Sequence, residues 1–258
     1  MKFIKYIFAI ILVLCAILAV LLFEKSPKKA TGTTNDIYRF STEEYHNLLF
    51  DTVEIQSKDI DKLTFYYKDK EGKKITDISS LRSLLEGRNK KLIFGTNGGI
   101  FSTTSEPLGL YIENGRTLFN VNTSSGEGNF YLQPNGVFLI KRDGAEIVVT
   151  ERYGDSSSTA YTIQSGPLLV IDGKINTSFD ENSQSKYIRN GVGIGKEGNV
   201  FFAISNEPVT FYEFASFFKD AVGCGNALYL DGAISEMYVP EYRKKTEQKF
   251  GVIIGIEE

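Results

Sequence analysis

The fold class depends on the stretch GVGIGKEGNVFFAIS, residues 191–205. Its centre, Gly193 to Gly198, formally spells the G-x-G-x-x-G fingerprint of a dinucleotide-binding loop. Such a loop needs a strand before it and a helix after it. Here NVFFAIS follows, and its valine, isoleucine and phenylalanines are typical of a strand. We therefore interpret the glycines as a β-hairpin turn near Glu197–Gly198, and we predict no nucleotide cofactor.

Similar hairpin signals recur on both sides of this stretch. LGLYIENGRTLF is predicted to turn at Asn114–Gly115, NFYLQPNGVFLI at Pro134–Asn135–Gly136, and GPLLVIDGKI at Asp172–Gly173. Further runs rich in β-forming residues are VEIQ, LTFYYK, KLIFGT and the C-terminal FGVIIGIE. Most of the chain is therefore predicted as short strands joined by turns.

Two helices are indicated by their end signals. In DISSLRSLLEG, apolar residues at helical spacing follow Asp77 as the N-cap and stop at Gly87. In TFYEFASFFKDAVG, Thr210 and Glu213 have the spacing of a capping box, and the apolar stripe ends at Gly223. The capping box explains Glu213 without a catalytic role.

The N-terminus predicts a membrane anchor. Tyr6 to Phe23 are 18 residues without a charge or a proline, and Lys2 and Lys5 precede them. Eighteen apolar residues are just enough to cross a bilayer as a helix. A cleaved signal peptide is the alternative, but no Ala-x-Ala-like site follows the segment. We expect residues 1–23 to form a single-pass transmembrane helix in the cell membrane with the domain outside, or else secretion after cleavage.

The rest of the chain is divided into a tether and one domain. Residues 24–36 are rich in Lys, Thr and Gly and predict a polar tether. Residues 37–50 fit either a first helix or an extended arm. We predict that residues 37–258 form one α+β domain, dominated by mixed β-sheet with hairpins and a few helices. The two cysteines, Cys15 and Cys224, predict no disulfide framework.

Charge and histidine content exclude several functions. A net charge of −3 gives no basic face for nucleic acid. The only histidine, His46, precedes the main strand region, so a His-based zinc site is excluded and a serine triad using Ser165 is disfavoured. A divalent cation on carboxylate and carbonyl oxygens stays open. No dense acidic loop supports one, and we predict no metal and no other cofactor.

Four polar motifs framed by glycine lie at the ends of apolar runs. They are LIFGTNGGIF, TIQSGPLLVIDG, KYIRNGVGI and YLDGAIS. Each alone is typical of a turn, and Asp-Gly in particular is a common hairpin pair. Together they supply amide, hydroxyl, guanidinium and carboxylate groups. The candidate site residues are Asn97, Gly98, Gly99, Gln164, Ser165, Arg189, Asn190, Asp231, Gly232 and Ser235.

In these motifs the sequence resembles the phosphodiester glycosidase family, most closely its bacterial branch. The resemblance runs from about Leu92 to Ile256. It is carried by TNGGIF, PLGLYIENGR, GNFYLQPNGVF, QSGPLLVIDGKI, IRNGVGI, ISNEPVTFYEFASFFKD and CGNALYLDGAIS. One departure concerns Asp231, because animal members follow this Asp with a run of glycines and a Ser, whereas Gly232-Ala233-Ile234-Ser235 follows here.

The resemblance implies hydrolysis of a sugar-1-phosphodiester at the anomeric carbon. We expect the substrate to be a phosphate-linked sugar or envelope glycan outside the membrane. The phosphomonoester that leaves has a second pKa of about 6, so it needs cationic and amide donors more than a strong acid. Arg189 would bind two phosphate oxygens, and the N–H groups of Gly98 and Gly99 would add donors. Asp231 would be the base that activates water or the nucleophile.

The remaining candidates are assigned more loosely. Asn97 and Ser165 would orient sugar hydroxyls or phosphate, and the other polar site residues would contact substrate. Glu207 is the candidate second carboxylate, with a solvent-facing loop acid as an equal alternative, and Glu106 and Glu127 lie in polar loops. The alternative function is a non-catalytic glycan-binding or envelope-assembly protein, which has no need to place Arg189 and Asp231 at one cleft.

Overall fold

The computed structural model describes residues 28–154, 159–232, 234–245 and 249–258. The predicted anchor, residues 1–23, lies outside the described residues. No helix in the described ranges is long and apolar enough to cross a membrane. Part of the predicted tether, Lys28–Thr34, forms a strand that pairs antiparallel with Tyr38–Tyr45, and so belongs to a sheet.

The described residues form three sheets. Their strands are β1 (Lys28–Thr34), β2 (Tyr38–Tyr45), β3 (Leu48–Ile55), β4 (Thr64–Tyr66), β5 (Leu92–Asn97), β6 (Tyr111–Glu113), β7 (Arg116–Phe119), β8 (Gly136–Lys141), β9 (Gly144–Val149), β10 (Thr159–Ser165), β11 (Leu168–Ile171), β12 (Lys174–Ile175), β13 (Asn190–Ile194), β14 (Val200–Ser205), β15 (Asn226–Asp231), β16 (Met237–Val239), β17 (Tyr242–Lys244) and β18 (Ile253–Glu257). The sheet orders are β1-β2-β3-β14-β13-β15-β11-β12, β7-β6-β10-β8-β9 and β17-β16-β5-β18-β4.

The strand pairs within the described ranges are all antiparallel, so the prediction of a mixed sheet is wrong. Many neighbours are joined by hairpins, which return the chain in the opposite direction. The β-dominated fold with few helices is confirmed by its structural relatives, which are described below.

Three predicted hairpins are present. β6–β7 turns at Asn114–Gly115, β11–β12 at Asp172–Gly173, and β13–β14 around Glu197. The residue before each glycine has a positive φ, of 52°, 49° and 63° respectively. Such angles are typical of tight hairpin turns. The undecided segment 37–50 is also extended, because β2 and β3 form a hairpin that turns at His46–Asn47.

The hairpin predicted at Pro134–Asn135–Gly136 is wrong. Asn129–Tyr131 form a 3₁₀ turn, and β8 pairs with β9 and β10. Asn135 is buried, and its side chain holds two neighbouring segments. Its Nδ2 donates to the Phe130 carbonyl at 2.6 Å, and its Oδ1 accepts from the Thr150 hydroxyl at 2.7 Å. An amide used in this way is not at an exposed hairpin tip.

Both predicted helices are present and cover outer sheet faces. α1 (Ile78–Glu86) begins at Asp77 and packs on the sheet that contains β5. α2 (Phe211–Ser216) begins at a complete capping box and continues as a π-helical turn, Phe217–Val222. Phe214 and Phe218 on this segment pack against the eight-stranded sheet.

The three sheets enclose one apolar core. Phe202 of β14 lies with its ring centroid 5.1 Å from Phe94 of β5 and 6.1 Å from Phe138 of β8. Each ring comes from a different sheet, and such aromatic pairs add to the energy of burial. The packing therefore fixes the three sheets relative to one another, and with them the strand ends that carry the predicted site residues.

Candidate functional site

The predicted site residues lie where several strand ends meet. Asn190, which opens β13, pairs with Ile204 near the end of β14 and with Asp231 at the end of β15. Asn97, at the end of β5, is hydrogen-bonded to Asn190. Ser165, at the end of β10, contacts the carbonyl of Leu230. Motifs that are far apart in the sequence are thus brought together.

Asn97 and Asn190 hold the turn that follows Asp231. Asn97 Nδ2 donates to the Ile234 carbonyl at 2.8 Å, and Asn97 Oδ1 accepts from the Glu236 N–H at 2.8 Å. Asn190 Nδ2 donates to Asn97 Oδ1 at 3.0 Å. Both side chains are buried. The contacts give these amides a structural role, and direct binding of substrate by them stays a prediction.

The two predicted serines also support the turn. The Ser235 hydroxyl donates to the Gly232 carbonyl at 2.7 Å. The Ser165 hydroxyl donates to the Leu230 carbonyl at 3.2 Å and accepts from the Ile100 N–H at 3.3 Å. Both hydroxyls are buried and shape the backbone around Asp231, and their contact with substrate stays a prediction.

Asp231 is half-buried and follows a break in the strand register. Asn190 lies opposite Asp231 and Gly191 opposite Tyr229, so Leu230 forms a bulge, a feature that re-aims neighbouring side chains. The carboxylate Oδ1 of Asp231 accepts from the Gly232 N–H at 2.6 Å. Burial raises the pKa of Asp231 to about 7, and the bond from Gly232 only partly opposes this. A carboxyl that titrates near neutral pH suits proton transfer.

The raised pKa predicts a pH-dependent stability. Because an Asp in the unfolded chain has a pKa of about 3.9, the folded state holds the extra proton between that value and 7. Stability therefore falls as pH rises through this window. Relative to Asp231→Asn, the wild-type protein is expected to lose about 2–4 kcal/mol of unfolding free energy from pH 4 to pH 8. Urea titrations across this range measure it, and a pH-independent difference would contradict the raised pKa.

Arg189, which we predicted to bind two phosphate oxygens, is enclosed by protein groups. The residue is 1% exposed. Its Nε donates to the Val209 carbonyl at 2.8 Å and its Nη2 to the Ser185 carbonyl at 3.1 Å. The guanidinium lies 3.7 Å from the centroid of the Phe211 ring, and burial lowers its pKa. Two of its three nitrogens are thus already bonded to backbone, so these N–H groups are not free to bind phosphate.

Tyr229 lies between Arg189 and Asp231. Among the described residues, no hydrogen bond or ion pair joins Arg189 to Asp231 directly. The third nitrogen, Arg189 Nη1, is buried without a well-formed hydrogen bond, and the Tyr229 hydroxyl is a polar neighbour of the guanidinium. Burial raises the pKa of Tyr229, the Arg189 charge opposes this, and the Asp231 charge adds to it. The phenol is therefore close to both charges.

Gln164, a predicted substrate-binding residue, has a structural role in the fold. Its Oε1 accepts from the Leu110 and Asn122 N–H groups, both at 2.9 Å. Its Nε2 donates to the Asn122 carbonyl at 2.7 Å and to Asn135 Oδ1 at 2.8 Å. The side chain is 1% exposed, and these four bonds complete its hydrogen-bonding capacity. Gln164 therefore joins the loop that contains Asn122 to the loop that contains Asn135.

The glycines after β5 are needed for close packing. The Gly98 N–H, a predicted phosphate donor, donates to the Val252 carbonyl at 2.7 Å, so this donor is already used within the fold. A Cβ on Gly99 would lie 3.0 Å from the Gln164 carbonyl oxygen and 3.1 Å from Ser165 Cβ. Close approach of the Gln164 backbone thus explains Gly99, and a Cβ on Gly98 would lie 3.1 Å from side-chain atoms of Ile163 and Val252. The use of the Gly99 N–H in binding stays a prediction.

No second carboxylate contacts Asp231 among the described residues. Glu207 Oε2 accepts from the Leu49 N–H at 3.0 Å and supports the edge of β3. Glu106 pairs with Lys74 at 3.0 Å, and Glu127 is exposed in its loop. Within the same ranges, no group of three His, Cys, Asp or Glu side chains could hold a metal ion. The prediction that neither a metal nor another cofactor is needed stays untested.

The sequence analysis missed two residues near these strand ends. Tyr229 precedes Asp231 by two positions in YLD, which is the one sequence signal for its proximity. Lys244 of β17 adds a half-buried cation near the end of β14, where its Nζ donates to the Ser205 and Asn206 carbonyls at 2.7 and 3.0 Å. Burial lowers the pKa of Lys244. No local pattern connects β17 to that strand end.

Comparison with known proteins gives two sequence matches. The profile of the phosphodiester glycosidase family matches residues 90–256. Over 143 residues the chain is 45% identical to the uncharacterized protein YigE of Escherichia coli K12, and the match covers 55% of this chain and 56% of that protein. The chain therefore spans little more than half the length of that relative.

Solved structures with the same fold include the zebrafish N-acetylglucosamine-1-phosphodiester α-N-acetylglucosaminidase catalytic domain, auto-inhibited by its pro-peptide. It matches with a TM-score of 0.62 and 16% identity, covering 90% of this chain and 87% of that chain. A hypothetical protein from Synechocystis matches with a TM-score of 0.56 and 13% identity, covering 88% of this chain and 64% of that chain. A Burkholderia pseudomallei K96243 protein whose name calls it exported matches with a TM-score of 0.55 and 10% identity. The match covers 84% of this chain and 74% of that chain.

At these identities the structural likeness establishes the fold, and the family follows from the sequence profile. That profile covers more than half of the chain and includes every motif in which the resemblance was found. The chain belongs to the phosphodiester glycosidase family, as its motifs predicted.

Proposed function

We propose that this protein hydrolyses a sugar-1-phosphodiester at the anomeric carbon and releases a sugar and a phosphomonoester. The observation that carries the proposal is Asp231, a half-buried carboxyl with a pKa of about 7 at the meeting point of the strand ends. Family membership supports the reaction type. The name of the zebrafish relative, an N-acetylglucosaminidase for a sugar-1-phosphodiester, supports the bond that is cleaved.

In the proposed step, Asp231 acts as a general base. It takes a proton from water as the water oxygen attacks the anomeric carbon. The bond between that carbon and the phosphate oxygen breaks, and its electron pair leaves with the phosphomonoester. Because this leaving group has a second pKa of about 6, it departs without a strong acid. A single activated water inverts the anomeric configuration.

Arg189 has a different role from the one suggested by the family resemblance. With Nε and Nη2 bonded to backbone carbonyls, it supplies positive charge behind the site instead of a free fork. A guanidinium stays charged even when it is buried, and low dielectric strengthens its field. This field favours the negative charge that develops on the departing phosphate oxygen.

We place the reaction outside the cell membrane. The support is the 18-residue apolar segment from Tyr6 to Phe23, with secretion after cleavage as the alternative. The substrate class is then a phosphate-linked sugar or an envelope glycan. Cleavage leaves the phosphate on the group that was linked to the sugar. The sugar itself is left to experiment.

A non-catalytic glycan-binding protein on the same fold is the second candidate. The observation that favours it is the burial of Arg189, which is 1% exposed and shares no direct contact with Asp231 among the described residues. Such a protein would bind the sugar phosphodiester and leave it intact. The two candidates therefore differ in turnover.

The test is a screen of the purified protein against aryl and alkyl sugar-1-phosphodiesters, with the matching sugar-1-phosphomonoesters as controls. We expect release of free sugar and an aryl or alkyl phosphomonoester. ¹H NMR of the first product should show the inverted anomer. Binding of a phosphodiester without turnover across the panel would favour the glycan-binding candidate and overturn the hydrolase.

A further inference from the structure

The Tyr229 hydroxyl lies directly against the turn that carries Asp231. A Cβ built on Gly232 would be 2.2 Å from the Tyr229 hydroxyl oxygen but 3.5 Å from the ring carbon Cζ. The oxygen therefore occupies the space beside the Gly232 Cα. Tyr229 has no exposed surface, so it acts on the site through its neighbours and not by touching substrate.

Three side chains hold the Tyr229 ring and hydroxyl in place. Asn129 Nδ2 donates to the hydroxyl at 3.3 Å. The Arg189 guanidinium lies 5.5 Å from the ring centroid. Phe211 packs against the ring in an edge-to-face arrangement at 4.9 Å. The ring is held by Arg189 and Phe211 and the hydroxyl by Asn129, so the hydroxyl limits how the backbone beside it can move.

The backbone at Gly232 is in turn bonded to the carboxyl. Asp231 Oδ1 accepts from the Gly232 N–H at 2.6 Å, and among the described residues no other hydrogen bond reaches that carboxylate. A shift of Gly232 therefore moves the Asp231 oxygens. The Tyr229 hydroxyl thus touches the Gly232 backbone, and the Gly232 backbone is bonded to the Asp231 carboxyl.

We propose that Tyr229 is a positioning residue, whose hydroxyl sets the direction of the Asp231 carboxyl through Gly232. The inference rests on the proposed function, because it assigns this geometry to catalysis. It also gives position 232 a reason to be glycine, since any side chain there meets the hydroxyl. Arg189 then contributes to the site partly by holding Tyr229.

The first test removes only the hydroxyl. Tyr229→Phe is expected to lower kcat about 10- to 100-fold, since small displacements of reacting groups are costly, while KM changes less than about twofold because Tyr229 does not touch substrate. The matched control is Tyr67→Phe, which removes a buried hydroxyl that has no well-formed hydrogen bond. The control should keep wild-type kcat. An unchanged kcat in Tyr229→Phe, or a loss confined to KM, overturns the positioning role.

The second test uses the predicted collision. Gly232→Ala should lower the melting temperature and kcat, because its Cβ would meet the hydroxyl. Adding Tyr229→Phe leaves a contact of ordinary length, so the double variant should melt at a higher temperature than Gly232→Ala alone. Purely additive losses would overturn the contact. This stability readout needs no turnover. An inactive wild-type enzyme would therefore overturn the proposed function, and with it any catalytic role of Tyr229, separately from the packing result.

Discussion

Replacing Asp231 by Asn is expected to leave the fold intact and to reduce kcat by at least about 100-fold, the lower end of what a positioned acid or base contributes. The amide keeps the size of the carboxyl, and its oxygen can still accept from the Gly232 N–H. It cannot take a proton from water. The measurement is kcat on the best phosphodiester from the screen, together with a thermal melt of the same preparation.

The chain offers a matched control for this substitution at Asp172. Asp172–Gly173 is also an Asp-Gly pair after a buried strand, but its carboxylate is 73% exposed and lies 3.9 Å from Arg152. Asp172→Asn should therefore keep full activity. If Asp231→Asn also kept full activity with an intact fold, the Asp231–Gly232 pair would be an ordinary turn and the proposed mechanism would fail.

The second large effect concerns stability. Phe214→Ala is expected to lower the free energy of unfolding by about 3–5 kcal/mol. Phe214 is fully buried between α2 and the eight-stranded sheet. Its ring centroid lies 5.1 Å from Phe218 and 6.1 Å from Phe50, so truncation leaves a cavity that rigid neighbours cannot fill. Urea unfolding measures the loss.

A surface residue provides the comparison for this core substitution. Leu132 is 43% exposed, and Leu132→Ala should change the unfolding free energy by no more than about 0.5 kcal/mol. A similarly small change in Phe214→Ala would mean that the apolar stripe of α2 does not pack on the sheet in solution.

The features that the sequence predicted well are governed by neighbouring residues. Asp77 accepts from the Ser80 N–H, and Thr210 forms its capping box with Glu213, because a helix end is satisfied within three residues. Asn114–Gly115 turns β6 into β7 for the same kind of local reason. Such patterns do not need the tertiary fold to be recognised.

The features that the sequence analysis missed depend on contacts between segments that are far apart in the chain. Gln164 and Asn135 are polar residues beside glycines. From the sequence alone, a buried amide that joins two loops cannot be told from one that binds substrate. Only the packing shows that their amides are bonded to each other and to backbone. Arg189 is similar, because the carbonyls that bind it come from separate loops. The hairpin predicted at Pro134–Asn135–Gly136 was wrong because the strands that pair with β8, namely β9 and β10, come later in the chain.

Hydrolysis in water enriched in ¹⁸O tests the central claim most directly. If Asp231 activates water for attack on the anomeric carbon, mass spectrometry should find the label in the released sugar and none in the phosphomonoester. Label in the phosphomonoester would instead show that water attacks phosphorus, which would make the protein a phosphodiesterase and contradict the proposed glycosidase mechanism.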